Sequence, residues 1–180
     1  VTRTWVRVTA SRLVGVGGPL WTGGYRVRHN RYVRRNAFPA YHVSEGTTTA
    51  FAEVFGTPPG PSPRVGVPPE NQTTLVIEVD LPDVLDLAVE AVRGHIGVSH
   101  AEIVRLPNWA ATDFLGRPAE YELTQCIGEL AMLAGCGGVL YPAARDTDGV
   151  NLVVFTDRLA AVGGSIRAIH PVTNAEHRLP

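Results

Sequence analysis

Residues 4–9, Thr-Trp-Val-Arg-Val-Thr, alternate in polarity. That two-residue period predicts a strand, with Val6 and Val8 on one face and Trp5, Arg7 and Thr9 on the other. A glycine-rich segment follows at 15–24. Residues 38–43, Phe-Pro-Ala-Tyr-His-Val, predict a second short strand. Residues 47–55 predict a short helix, dense in alanine and aromatic side chains, with threonines available as caps. Residues 56–74 predict a long loop, stiffened by six prolines within 58–69. Loops of that length are usually functional flaps or unstructured segments. Residues 75–80 predict a strong strand, which 84–87 extend beyond Pro82. Ser99-His-Ala-Glu102 is a capping-box pattern for a short helix. Residues 120–135 predict the clearest helix, with Leu123, Ile127, Leu130, Ala131 and Ala134 on one face and Gly135 placed to end it. Strands at 138–141 and 151–156 follow, joined by a turn at 146–149, and a last strand runs over 165–170.

Strands and helices in this order do not alternate regularly, which argues against a doubly wound parallel sheet and for an α+β domain. A length of 180 residues suits one domain spanning 1–180, and 44% apolar with 18% charged residues suits a folded chain. No Rossmann fingerprint, P-loop or zinc spacing occurs.

The net charge of −1 conceals an asymmetry: the first 44 residues hold eight arginines and no acid, and the rest hold eight arginines and all 17 acids. The first block is therefore +8 and the remainder −9. Such a division favours an anionic ligand near the basic block, or pairing between the two. All 16 basic residues are arginine, so lysine Schiff-base chemistry is excluded and any phosphate contact by a permanent cation uses a guanidinium fork. Cys126 and Cys136 make neither a metal-type pair nor a disulfide framework, and are expected as reduced core residues. Glycines interrupt the apolar stretch after Arg12, so no signal peptide is expected. The mostly apolar run at 130–144 is too short and glycine-rich to span a bilayer, which gives a cytoplasmic, membrane-free expectation.

Three residues stand out for chemistry. Arg7 sits mid-strand between valines, Glu53 is a charge inside the apolar run Ala50-Phe51-Ala52-Glu53-Val54-Phe55, and Tyr41 lies just before that helix. An unpartnered buried charge costs several kcal/mol, roughly. Arg7 and Glu53 therefore reach solvent, pair with each other, or face a polar ligand. The six histidines, His29, His42, His95, His100, His170 and His177, show no ligand spacing and read as solvated or hydrogen-bonded. Arg26, Arg28, Arg31, Arg34 and Arg35, interleaved with Tyr25 and Tyr32, have the composition of a nucleic-acid patch, though no recognisable module surrounds them.

The segment from Phe38 through Tyr41 to Ala52-Glu53-Val54 resembles the central motif of the RES family, an apolar strand ending in tyrosine and then a helix ending in Ala-x-x-Glu-Val. Gln125-Cys-Ile-Gly128, then Gly138-Val-Leu-Tyr-Pro-Ala-Ala-Arg145 and Gly149-Val-Asn-Leu-Val-Val-Phe155, resemble its C-terminal motif. Trp5-Val-Arg7-Val resembles the opening strand, and Gly23-Gly24 the Gly-Gly-Arg loop. The likeness covers about residues 5–158.

The resemblance implies a toxin of a bacterial toxin–antitoxin pair with a fold like that of ADP-ribosyltransferases. It implies consumption of NAD⁺, cleaved at the nicotinamide–ribose bond by hydrolysis or phosphorolysis, with ADP-ribosylation of a protein as the alternative. Arg7, Tyr41 and Glu53 correspond to the family's active-site arginine, tyrosine and glutamate. Arg7 would grip phosphate, Tyr41 would stack on nicotinamide, and Glu53 would stabilise an oxocarbenium-like state. Arg26, Gln125 and position 143 would complete the NAD⁺ site, with Trp109 and Gln125 in regions used for packing and the pocket wall. NAD⁺ enters as substrate, phosphate is an optional co-substrate, and no metal is implied. The partner would be an antitoxin bearing an Xre-type helix-turn-helix domain, and a homo-oligomer is compatible.

Three departures stand out. Ala143 replaces the family serine after Pro142, removing a hydroxyl. Tyr25 follows Gly24, so the loop arginine falls at Arg26, one position late. The stretch from Gly24 to Tyr41 is also long. A third reading, outside enzymology, is a RES-like domain disabled at Ala143 or a basic binding module.

Overall fold

The computed structural model describes residues 1–26, 30–34, 36–55, 71–105 and 122–180. Its strands are β1 (Thr2–Ala10), β2 (Ala40–Ser44), β3 (Gln72–Asp80), β4 (Val84–Asp86), β5 (Gly138–Pro142), β6 (Val150–Phe155), β7 (Ser165–Ile169) and β8 (Glu176–Leu179). Its helices are α1 (Ser11–Gly17), α2 (Thr47–Phe55), α3 (Glu90–Ile96), α4 (His100–Val104), α5 (Leu123–Leu133) and α6 (Leu159–Val162). The strands form one mixed sheet in the order β4-β5-β6-β2-β1-β3-β7-β8. Only β4 and β5 run parallel; the other neighbours are antiparallel. The α+β expectation holds.

Alternation along the strands builds two apolar layers. Trp5, Tyr41, Val43, Leu75, Ile77 and Leu152 belong to one, and Tyr32, Phe38, Ala40, Tyr141, Val153 and Phe155 to the other. Beside the second layer, Val8 packs with Ala50 and Val54 of α2. Residues Leu75, Ile77 and Val79 of β3 are buried while Thr74, Val76 and Glu78 are exposed, the signature of a strand covered on one face.

Several expected elements are relocated. Residues 84–86 do not prolong β3: the chain turns after Leu81-Pro82 and crosses to the far edge of the sheet, where β4 lies parallel to β5. Residues 11–17, which had no predicted element and run into the glycine-rich segment, form a helix, because Val14 is buried in the first layer and packing overrides low propensity. The structure adds α3 and β8. The capping box at Ser99 and Glu102 is complete in both directions. Residues 56–70, which hold most of the proline-rich loop, lie outside the described residues, as do 27–29, 35 and 106–121, with Arg28, His29, Arg35 and Trp109.

The face of α5 is the largest correction. Ile127 and Ala131 are buried as expected, but Leu123 and Leu130 are 39% and 64% exposed, and Ala134 is exposed too. The buried face instead holds Thr124, Gln125 and Gly128. The reason is polar: the Thr124 hydroxyl donates to the Arg31 carbonyl at 2.7 Å and Gln125 Nε2 to the Asn30 carbonyl at 3.1 Å. The helix is rotated toward backbone acceptors rather than toward its leucines. Gly135 takes a left-handed φ of 92° just past the helix, as its position suggested.

The charge asymmetry resolves partly into internal pairs. Arg3 meets Glu45 and Arg34 meets Glu129, each at 2.6 Å. No described helix is long and apolar enough to cross a membrane.

Candidate functional site

Strand alternation puts Arg7 on the Trp5 side of β1, facing the layer that contains Tyr41. The Arg7 Cζ lies 4.1 Å from the centroid of the Tyr41 ring, a cation–π stack. Tyr41 is fully buried, and its hydroxyl donates to the Pro19 carbonyl at 2.6 Å. Burial raises the Tyr41 phenol above its ordinary range, and the Arg7 cation pulls it partly back. Arg7 itself is half-buried, and its Nη1 is enclosed without a hydrogen-bond partner among the described residues. A buried N–H donor in that state lacks an acceptor, and an anionic oxygen is the acceptor that best suits a guanidinium.

The sheet parts at this place. β1 pairs with β3 from Thr2–Asp80 to Ala10–Gln72, and β2 with β6 from Ala40–Phe155 to Ser44–Asn151. Between β1 and β2 the only paired position is Val6–Ser44. Arg7 and Tyr41 stand on the two strands beyond that position, where the ladder has stopped.

Glu53 is elsewhere. It does not pair with Arg7. Helix α2 packs Ala50 and Val54 against Val8, so it covers the face of β1 opposite Arg7, and it touches both β1 and β2. Its Thr49–Glu53 edge faces the loop between β5 and β6. Glu53 Oε1 accepts from the backbone N–H of Ala144 at 2.8 Å and of Arg145 at 3.2 Å. Its Oε2 has no hydrogen bond among the described residues. One turn back, the Thr49 hydroxyl donates to Asp146 Oδ2 at 2.6 Å. Ala143 is buried at the start of this loop, and its N–H donates to the Gly149 carbonyl at 2.8 Å.

Tyr141 lies between Glu53 and the 30–34 segment. Its phenol is raised far above its ordinary range, chiefly by burial, with Arg31 lowering it and the Glu53 carboxylate raising it further. Its ring meets that of Tyr32 at 4.5 Å between centroids. The Tyr32 hydroxyl and Gln125 Oε1 are both enclosed without a partner among the described residues.

The structure thus joins Arg7 to Tyr41 on one face of the sheet and Glu53 to the Ala144 and Arg145 amides on the other, with the parting of β1 and β2 between them. Gln125 is fully buried and anchors the 30–34 segment. Arg26 is exposed at the end of the 3₁₀ turn Gly23–Arg26. Tyr41 differs from expectation: burial, the Pro19 bond and the covering guanidinium make its ring a platform for Arg7, not a free stacking surface. Sequence reasoning passed over Thr49, Asp146 and Tyr141, although Thr49 lies four residues before Glu53 and so shares its helix edge. Among the described residues, no cluster of His, Cys, Asp or Glu could hold a metal ion. A separate groove near Arg3, Asp80 and Arg178 sits on the β3–β8 side of the sheet, crossed by the Arg167 ion pairs with Glu78 and Glu176.

The fold has solved counterparts. A chain in the crystal structure of the M. tuberculosis MbcT–MbcA toxin–antitoxin complex superposes with a TM-score of 0.58 at 23% identity, covering 88% of this chain and 77% of that one. No curated protein sequence matches. The sequence profile of the RES domain matches residues 4–173, from the strand of Arg7 through Tyr41 and Glu53 to the last hairpin, and the chain belongs to the RES-domain family.

Proposed function

We propose that this protein is the toxin of a toxin–antitoxin pair and that it consumes NAD⁺ by breaking the nicotinamide–ribose bond. The observation that carries this reading is the enclosed Arg7 Nη1, without a partner among the described residues, on a guanidinium stacked on Tyr41 at the parting of β1 and β2 in a RES-domain chain. A dinucleotide supplies the missing complement, because its diphosphate oxygens match the guanidinium fork. The likeness to a chain of a toxin–antitoxin complex supports the assignment to such a pair, with an antitoxin as partner.

The chain's residues divide the work. Arg7 holds the diphosphate, and Tyr41 fixes the guanidinium plane. Glu53, gripped through Oε1 by two amides, keeps Oε2 for a ribose hydroxyl and for the cationic transition state. Nicotinamide departs as a neutral molecule from a positively charged precursor, so no strong general acid is needed. Ala143 contributes no hydroxyl, and the adjoining Ala144 and Arg145 amides supply the donors at that corner.

Incubation with NAD⁺, with and without inorganic phosphate, tests the reading through release of nicotinamide. Release without phosphate means hydrolysis, and release that needs phosphate means phosphorolysis. Release only with a protein acceptor means ADP-ribose transfer. Absence of release under all three conditions, with the protein folded, overturns the proposal.

A further inference from the structure

Glu53 does not hold the Ala144 and Arg145 amides unaided. The loop that carries them is fastened to α2 a second time, by the Thr49 hydroxyl on Asp146 Oδ2 at 2.6 Å. Thr49 and Glu53 are four residues apart, one turn of the same helix edge, and their partners follow each other along the loop: 144 and 145, then 146. The Asp146 carbonyl in turn accepts from the Gly149 N–H at 3.1 Å, closing the turn. The clasp is tightly enclosed. A Cβ at position 149 would lie 2.6 Å from Thr49 Oγ1 and 2.7 Å from Asp146 Oδ2. Thr49 is only 5% exposed, so its hydroxyl has been taken out of water to make this bond.

We infer that Thr49 and Asp146 are positioning residues for Glu53. Their bond fixes the register of the 143–149 loop on α2, and that register delivers the Ala144 and Arg145 amides to Oε1. Two donors on one oxygen set the carboxylate plane and leave Oε2 directed. Without the clasp, the loop amides lose their address and Glu53 samples other rotamers. Positioned groups of this kind act on the chemical step more than on substrate binding. The clasp also explains how the chain manages with Ala143. The loop is held from Asp146 on one side of the amides and from the strand end on the other, so no side-chain hydroxyl at 143 is needed to shape it.

The inference rests on the role given to Glu53, so the test includes a readout independent of NAD⁺. Amide hydrogen exchange is followed by NMR at Ala144 and Arg145 in Thr49→Val, Thr49→Ser and Asp146→Ala. Valine keeps the shape and removes the donor, serine keeps the donor, and Asp146→Ala removes the acceptor from a half-exposed loop position that does not endanger folding. The expected result is exchange at least about tenfold faster at both amides in Thr49→Val and Asp146→Ala, with the amides of β6 unaltered and Thr49→Ser restoring protection. In turnover, kcat falls about tenfold or more with KM nearly constant, and Thr49→Ser recovers it. Unchanged protection of Ala144 and Arg145 in both disrupting variants overturns the clasp. Faster exchange in a protein that releases no nicotinamide leaves the clasp standing and removes only the NAD⁺ reading.

Discussion

The Gln-x-x-Gly pattern of α5 makes a quantitative prediction. Gln125 and Gly128 are three residues apart and face the 30–34 segment together. At Gly128 the helix and that segment touch backbone to backbone. A Cβ added there would run into the Tyr32 carbonyl, 2.9 Å from its carbon and 3.1 Å from the Tyr32 Cβ. A carbonyl in a fixed segment cannot swing aside like a flexible side chain, so Gly128→Ala pushes the whole helix outward. Overpacking of this kind costs about 1–3 kcal/mol. The shift also strains the Thr124–Arg31 and Gln125–Asn30 bonds, at about 1 kcal/mol each. Alanine returns about 1 kcal/mol through its higher helix propensity. The net is a destabilisation of about 2–4 kcal/mol, or a fall in Tm of roughly 5–15 °C at this chain length. Gly94→Ala in α3 is the control: nothing lies within 4 Å of its Cβ, so the propensity gain stands alone and Tm holds or rises. Thermal melts of both variants by circular dichroism decide the matter. A Gly128→Ala protein melting at or above the wild type refutes the close approach and the account of the motif built on it.

Three further predictions follow from the site. Arg7→Met removes an enclosed cation whose Nη1 lacks a partner among the described residues, so Tm holds or rises while nicotinamide release is lost; a drop in Tm comparable to Gly128→Ala would show that Arg7 is structural. Glu53→Gln keeps an oxygen for the two amides but loses the charge, so the protein folds with kcat lowered on the order of 10²-fold, as measured by nicotinamide release. Tyr32, Tyr41 and Tyr141 all have raised phenol pKa values from burial. Folded phenols raised above their unfolded value stabilise fully below pH about 10 and lose that contribution as pH climbs, since the unfolded chain then gives up protons that the native one retains. Denaturation curves are therefore flat from this source below pH about 10 and fall above it by roughly 4 kcal/mol per pH unit while all three remain protonated. Tyrosinate absorbance should appear together with unfolding, and its appearance in the folded protein near pH 10 for these rings would contradict the burial.

Much of the fold was legible because alternation and caps are local. The helix at 47–55 read directly, the strands expected at 138–141 and 151–156 lie at 138–142 and 150–155, and the Ser99–Glu102 box is present. The failures share a cause. The role of 84–86 depends on which strand edge is vacant, and that is settled by β5, some fifty residues later in the chain. The buried side of α5 depends on carbonyls at Asn30 and Arg31 that a hydrophobicity count does not register. Helix α1 tolerates Gly15 and Gly17 because Val14 gains a place in the core. In each case a distant partner outweighs the local preference.

The division of the site between two faces was more accessible than those long-range facts. Alternation alone sets Arg7 opposite Val6 and Val8. A short helix carrying Ala50 and Val54, following directly on the second strand, has an apolar stripe to bury, and the valine face of β1 is the available apolar surface. Placing α2 there puts Glu53 across the sheet from Arg7, which the residue types alone, leaving a pairing of the two open, did not take into account. An ion pair between them is then excluded by topology. Beside Arg7, β1 and β2 share a single paired position, Val6–Ser44. Under the proposed function, a dinucleotide that meets both groups has to reach across β1 where that pairing stops, which is why the cation and the carboxylate are of use to it only as separate contacts.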